Sequence, residues 1–368
     1  MEPEATGSRA GKMRQIDLAL QGGGSHGAFT WGVLDRLLED ERLEISGISG
    51  TSAGAMNAVA LAAGLMQGGR AGARAALRRF WTAVAAASPF HRLQTGPLGP
   101  WYGPMFGPDN PWMAPLQLYA DWVGQVASPY QLNPLNLNPL RDILAEQIDF
   151  DKVRRCHKTR LFIAATQVRN GDLRIFDQSE LTADMVLASA CLPLLFQAVA
   201  IGGEAYWDGG YAGNPSLLPL IQETAADDLL LVPINPRERK VVPTTARDIL
   251  NRANEVTFNA SLLKELRTVE LLKQLIASGG PPSPAPLPPL FARIQALRVH
   301  RVAADDELAA FGAASKLDTR WSFLQQLHLV GRKAADGWLA ENFRHLGRRS
   351  TIDLAQECLG EADCAARE

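Results

Sequence analysis

A serine hydroxyl attacks an ester carbonyl only where the chain holds it out, beside a base and beside donors for the developing oxyanion. Ser52 stands in the pattern G-x-S-x-G, as Gly50-Thr51-Ser52-Ala53-Gly54. Side chains at Gly50 or Gly54 would collide with neighbouring backbone in a tight strand-to-helix turn, and Thr51 and Ala53 keep that turn slim. Such a turn strains the serine and presents its hydroxyl at a helix N-terminus. A second glycine-rich stretch precedes it, Gly22-Gly23-Gly24-Ser25-His26-Gly27. Consecutive glycines let backbone N–H groups converge on a phosphate or on the oxyanion of an acyl transfer. The stretch also fits the dinucleotide pattern G-x-G-x-x-G. That reading needs a carboxylate near the end of the second strand, where the chain has Gly50-Thr51-Ser52 instead.

The hydroxyl needs a base. None of the six histidines (His26, His91, His157, His300, His328 and His345) has a local signature. His300 is the best triad candidate, because it follows Ser52 in chain order and adjoins an expected strand. Arg298 and Arg301 would compete for its acidic partner. Asp208, in Tyr206-Trp207-Asp208-Gly209-Gly210, is the stronger candidate. Asp-Gly is most often a turn. Here Tyr206 and Trp207 would desolvate the carboxylate and raise its pKa, as a base working near neutrality requires.

The elements that must position these residues are legible as periodicity. Residues 16–21 and 45–49 read as buried strands, 28–38 and 53–66 as helices. Strand, helix, strand, helix argues an α/β sheet with parallel strands. The C-terminal ends of neighbouring strands share one rim, so the glycine loop and the serine loop meet there. Further strands are expected over 161–168, 173–176, 228–234 and 297–302, and helices over 182–191, 244–277 and 323–343. One face of the helix over 244–277 is apolar; it packs in its own core or makes a homo-oligomer contact. Residues 88–139 carry ten prolines interleaved with aromatics, Trp101, Trp112 and Trp122 among them. Such a stretch forms no long regular element. It is read either as a lid making lipid contact or as an insertion packed on the surface. The division expected is a disordered segment 1–13, one domain over 14–345 with a mobile proline-rich loop at 279–290, and a polar tail 346–368.

Composition excludes some classes. Net charge is −2, so no basic field steers the chain to nucleic acid. The four cysteines form no C-x-x-C pair, which reads as reduced thiols in a cytoplasmic protein. The start of the chain has no secretory h-region, and the longest apolar run, 58–66, is too short to cross a bilayer. A soluble protein, or one peripheral at a membrane or lipid surface, is expected.

Three separated stretches together resemble the patatin-like phospholipases: the oxyanion loop Gly22 to Gly27, the nucleophile elbow Gly50 to Gly54, and the D-G-[GA] motif Asp208-Gly209-Gly210. A fourth, Ala188-Ser189-Ala190-Cys191-Leu192-Pro193, is similar to the A-S-x-x-x-P stretch that precedes the family's aspartate. Order and spacing agree over about 14–345. The resemblance implies a three-layer α/β/α fold with a mainly parallel sheet. It implies hydrolysis of lipid acyl esters by a serine–aspartate dyad, with no catalytic histidine, metal or cofactor. Ser52 would be the nucleophile, Asp208 the base, and the N–H groups of Gly23 and Gly24 the core of an oxyanion hole spanning Gly22, Gly23, Gly24, His26 and Gly27. One departure is His26: bacterial members usually carry Arg or Lys there, so a permanent charge is replaced by a group titrating near neutrality. Transfer of the acyl group to another acceptor, action on a storage polyester, and a non-catalytic lipid-surface role remain as alternatives.

Overall fold

The computed structural model describes residues 13–87, 128–239, 241–278 and 287–359. Strand β1 (Arg14–Leu20) sends Leu18 and Leu20 into one apolar cluster and Ala19 into another on the opposite face. A strand buried on both faces reads as a continuous apolar run, which is why it was legible. The others are β2 (Leu43–Gly50), β3 (Arg160–Gln167), β4 (Leu173–Asp177), β5 (Val199–Ile201), β6 (Glu204–Asp208), β7 (Asp228–Val232) and β8 (Arg298–Arg301). They form one sheet in the order β5-β6-β3-β2-β1-β7-β8, with β4 also paired to β3. The five strands from β3 to β8 run parallel, whereas β4, β5 and β6 add antiparallel pairs.

Helices α1 (Gly27–Glu39) and α2 (Ala53–Ala86), with the helix Trp321–Asn342, cover one face. The helices Leu218–Glu223, Ala246–Ser278 and Pro289–Ala296 cover the other. The result is the three-layer α/β/α architecture with a mainly parallel sheet. Among the described residues no helix is long and apolar enough to cross a membrane.

Three details depart from the sequence reading. The first helical stretch of α2 ends just past residue 66, where Gly68 and Gly69 leave helical geometry, but a second stretch, not anticipated, continues from there to Ala86. The β5–β6 hairpin was not anticipated. Nor does a polar tail begin at 346, because Leu346 and Leu354 are buried and the Gly347 N–H donates to the Asp228 carboxylate. Of the proline-rich segment, residues 128–139 hold the short helix Pro129–Leu132 and Pro139 opens the helix Pro139–Gln147. The expectations for 1–12, 88–127 (with Trp101, Trp112 and Trp122), 279–286 and 360–368 lie outside the described residues.

Candidate active site

Strand β2 ends at Gly50 and α2 begins at Ala53, so the chain reverses within two residues. Ser52 takes φ 53° and ψ −120° to do so. That left-handed conformation costs a non-glycine residue roughly 1–3 kcal/mol and persists only where its surroundings enforce it. They do. The Ser52 N–H donates to Ser189 Oγ at 2.9 Å, and the Thr51 hydroxyl donates to the Gly213 carbonyl at 2.7 Å. The Thr51 N–H donates to the Leu20 carbonyl at 3.3 Å. A Cβ on Gly54 would lie 2.2 Å from that same carbonyl oxygen, so only glycine lets α2 start against β1.

The glycine loop follows β1 and meets the elbow. A Cβ on Gly22 would fall 2.7 Å from Ser52 Cβ, which measures how closely the two loops approach. Gly22 itself is fully engaged: its N–H donates to Asn214 Oδ1 at 2.7 Å and its carbonyl accepts from Asn235 Nδ2 at 2.8 Å. Its N–H is therefore not an oxyanion donor, contrary to the motif read as a whole. Among the described residues no acceptor takes the N–H of Gly23 or Gly24. Gly24 has φ +60°, and Gly27 opens α1.

Asp208 closes β6, opposite Ala165 of β3. Its N–H donates to the Cys191 carbonyl and its carbonyl accepts from the Thr166 hydroxyl, each at 2.8 Å. Gly209 and Gly210 form the turn beyond it, and the Gly210 N–H donates to Asp208 Oδ1 at 2.7 Å. The side chain is 1% exposed. Burial pushes its pKa up to about 7, against the Gly210 N–H and the Ser52 hydroxyl, which both favour the charged form. Among the described residues nothing donates a well-formed hydrogen bond to Oδ2. The Ser52 hydroxyl is the side chain close enough to this carboxylate to favour its charged form. The charge of Asp208 reaches two further groups: burial first, then this carboxylate, push the Cys191 thiol up to about 12 and raise the Tyr211 phenol.

His26 does not titrate near neutrality. Its ring is buried against Phe311 and Phe323, and burial, followed by the charge of Lys316, lowers its pKa to about 3. The Ser315 hydroxyl donates to the Gly312 carbonyl at 2.5 Å, so His26 Nε2–H must be the donor in its 2.7 Å bond to Ser315 Oγ. The imidazole is neutral and is engaged by Ser315, Phe311 and Phe323, so it supplies no titration near neutrality.

His300 belongs elsewhere. It is fully buried in β8, with Nε2 at 2.9 Å from Asp228 Oδ1 and Nδ1 at 3.0 Å from Thr351 Oγ1. Burial opposes the charge of Asp228, yet His300, Arg298 and the Gly347 N–H hold its pKa down at about 2. The trio fastens the last segment of the chain to the sheet. His300→Ala is expected to lower stability by about 1–3 kcal/mol, because it strands buried polar partners. Ester hydrolysis per folded molecule should stay within about threefold of wild type; a melt and an active-site titration check both.

Sequence reasoning quoted Ser189 without giving it a role and missed Asn214 and Asn235. Asn235 follows β7, whose C-terminal end shares the rim with β1 and β2, so strand topology was its signal. A cavity of about 870 Å³ lies away from the serine loop and is not lined by Ser52 or Asp208. Arg239, Arg252, Glu255, Arg301 and Asp305 line it, and these are already paired with one another. Among the described residues no cluster of His, Cys, Asp or Glu is gathered to hold a metal.

The family model described as patatin-like phospholipase matches residues 18–221, a span that contains the glycine loop, Ser52 and Asp208. No curated protein matches the chain by sequence. Among solved structures, the crystal structure of VipD from Legionella pneumophila is similar at 14% identity and a TM-score of 0.36. The match covers 98% of this chain and 76% of that one.

Proposed function

The chain belongs to the patatin-like phospholipase family, and from that premise we propose that it hydrolyses lipid acyl esters with Ser52 as nucleophile and Asp208 as base. Membership supports lipid acyl hydrolysis in general. The observation that carries the assignment of roles is the Ser52 hydroxyl beside a buried carboxylate whose pKa stands at about 7, with no histidine among the described residues acting on that carboxylate. In this reading Asp208 takes the proton as Ser52 Oγ attacks the ester carbonyl. The N–H groups of Gly23 and Gly24 receive the oxyanion. Collapse breaks the ester bond, and the leaving alcohol takes its proton from Asp208. Water, deprotonated by the same carboxylate, then attacks the acyl-serine, and Ser52 leaves as the restored hydroxyl. Activity on aggregated lipid would also require peripheral contact with a lipid surface.

The reading is tested by release of fatty acid from phospholipids, lysophospholipids and glycerides, and of hydroxy acid from a hydroxyalkanoate polyester, each against the Ser52→Ala variant. Release that Ser52→Ala abolishes is the expected result. Release that survives in that variant, or none from any ester, contradicts it.

A further inference from the structure

The glycine loop is reached by a cation far away in the chain. Lys316 Nζ donates to Asn235 Oδ1 at 2.6 Å, and Asn235 Nδ2 donates to the Gly22 carbonyl at 2.8 Å. The Asn235 amide can stand only this way round, because an ammonium only donates and a carbonyl only accepts. The amide is braced in turn. The backbone N–H groups of Ile234 and Asn235 both donate to Gln21 Oε1 at 2.9 Å, and Gln21 Nε2 donates to Asn259 Oδ1 at 2.8 Å. Gln21 and Asn235 are buried at 0% and 2% exposure. The backbone of residue 316 also touches the loop: a Cβ on Gly24 would lie 2.3 Å from the Lys316 carbonyl oxygen.

The Gly22 carbonyl and the Gly23 N–H belong to one trans peptide plane and point in opposite directions. A donor that pins the carbonyl therefore also aims the N–H. Hydrogen bonds in a chain polarise one another, and a full charge at one end strengthens those that follow. We propose that Lys316 is a positioning residue for the oxyanion site, acting through Asn235 and the Gly22 carbonyl to aim and polarise the Gly23 N–H. The proposal rests on the catalytic reading above. It gives the loop the positive charge that the neutral ring of His26 does not supply.

The groups facing Lys316 are Glu255 from the helix Ala246–Ser278, Arg239 from the loop after β7, and His26 from the glycine loop. Glu255 is held by Arg239 and Arg252. Burial lowers the Lys316 pKa below the usual lysine value; Glu255 opposes that shift and Arg239 adds to it.

Lys316→Gln keeps a donor for Asn235 and removes the charge; Lys316→Met removes both. On a short neutral ester kcat should fall about tenfold or more in Lys316→Gln, with KM within about twofold of wild type, and at least as far in Lys316→Met. The rate of phosphonylation by a neutral fluorophosphonate should fall in parallel. A folded Lys316→Gln with kcat within twofold of wild type overturns the proposal. Should neither variant fold, the wild type decides. Its rate on the neutral ester should decline at alkaline pH, below the usual lysine pKa, while circular dichroism still reports the native fold. Asp208 is already ionised there. A rate that stays level to about pH 10.5 overturns the proposal. A wild type inert to the fluorophosphonate overturns the catalytic reading and this one together; a reactive wild type with an unaffected Lys316→Gln overturns this one alone.

Discussion

Asp208→Asn is expected to lower kcat on a short-chain ester by about 10³-fold, the scale of a lost general base, while the protein melts at the same or a higher temperature. The two effects share one cause. Asparagine fills the same space, and its Oδ1 can still accept the Gly210 N–H that Asp208 accepts at 2.7 Å. The native carboxyl has a pKa of about 7, raised by burial from the ordinary carboxylate value of about 4. Between those values the native state binds more protons than the unfolded chain. The stability of the wild type therefore falls as pH rises from about 4 to about 7, and the deficit persists above that window. An amide escapes this loss. Asp17, likewise pushed up to about 7 by burial, leaves part of the slope in the variant. The wild-type rate should rise through about pH 7, since only the carboxylate accepts the serine proton, and hold above it until the alkaline decline expected from Lys316. Hydrolysis assays across pH, with melts at about pH 8, check the set. A variant that keeps its activity removes Asp208 as the base; one that loses activity and fold together makes it a structural residue.

Gly54→Ala should be nearly as damaging to activity, by a different route. The new methyl would sit 2.2 Å from the Leu20 carbonyl oxygen and 2.8 Å from its carbon. Leu20 ends β1, a central strand held on both sides by parallel neighbours, so it cannot yield. The first turn of α2 must move instead, and that turn carries Ser52. A shift of this kind costs about 1–3 kcal/mol, and an ångström of misplacement at a nucleophile costs about a hundredfold in rate. The control is Gly337→Ala in the helix Trp321–Asn342, where an added Cβ meets nothing within 4 Å. There the methyl should raise stability by up to about 1 kcal/mol and leave the rate alone. Equal behaviour of the two variants, by melt and by kcat, would contradict the packing argument.

The parallel strands and the elbow were legible because their signals are local. β1 and β7 are short apolar runs buried on both faces, and the collision at Gly50, whose Cβ would lie 2.8 Å from the Gly54 carbonyl, follows from the turn itself. Parallel neighbouring strands share one C-terminal rim, so the two loops that follow β1 and β2 must meet whatever the long-range contacts are. The β5–β6 hairpin was less plain, since β5 has three residues. Its turn, Gly202-Gly203 with φ of +60° and +88°, is the two-glycine connection that favours a tight hairpin, so a signal was present. His26 was misjudged because its environment comes from Phe311 and Phe323, nearly 300 residues on. Lys316 was out of reach for the same reason. Nothing near it in the sequence says that its ammonium meets Asn235 beneath the glycine loop.

The most direct test of the account is to locate the reactive hydroxyl. The wild type and Asp208→Asn are treated with a fluorophosphonate, digested, and the adduct is assigned by peptide mass spectrometry. The account predicts one adduct, on Ser52, formed at least about 10²-fold more slowly in Asp208→Asn. An adduct on another residue, or equal rates of modification in the two proteins, would contradict it.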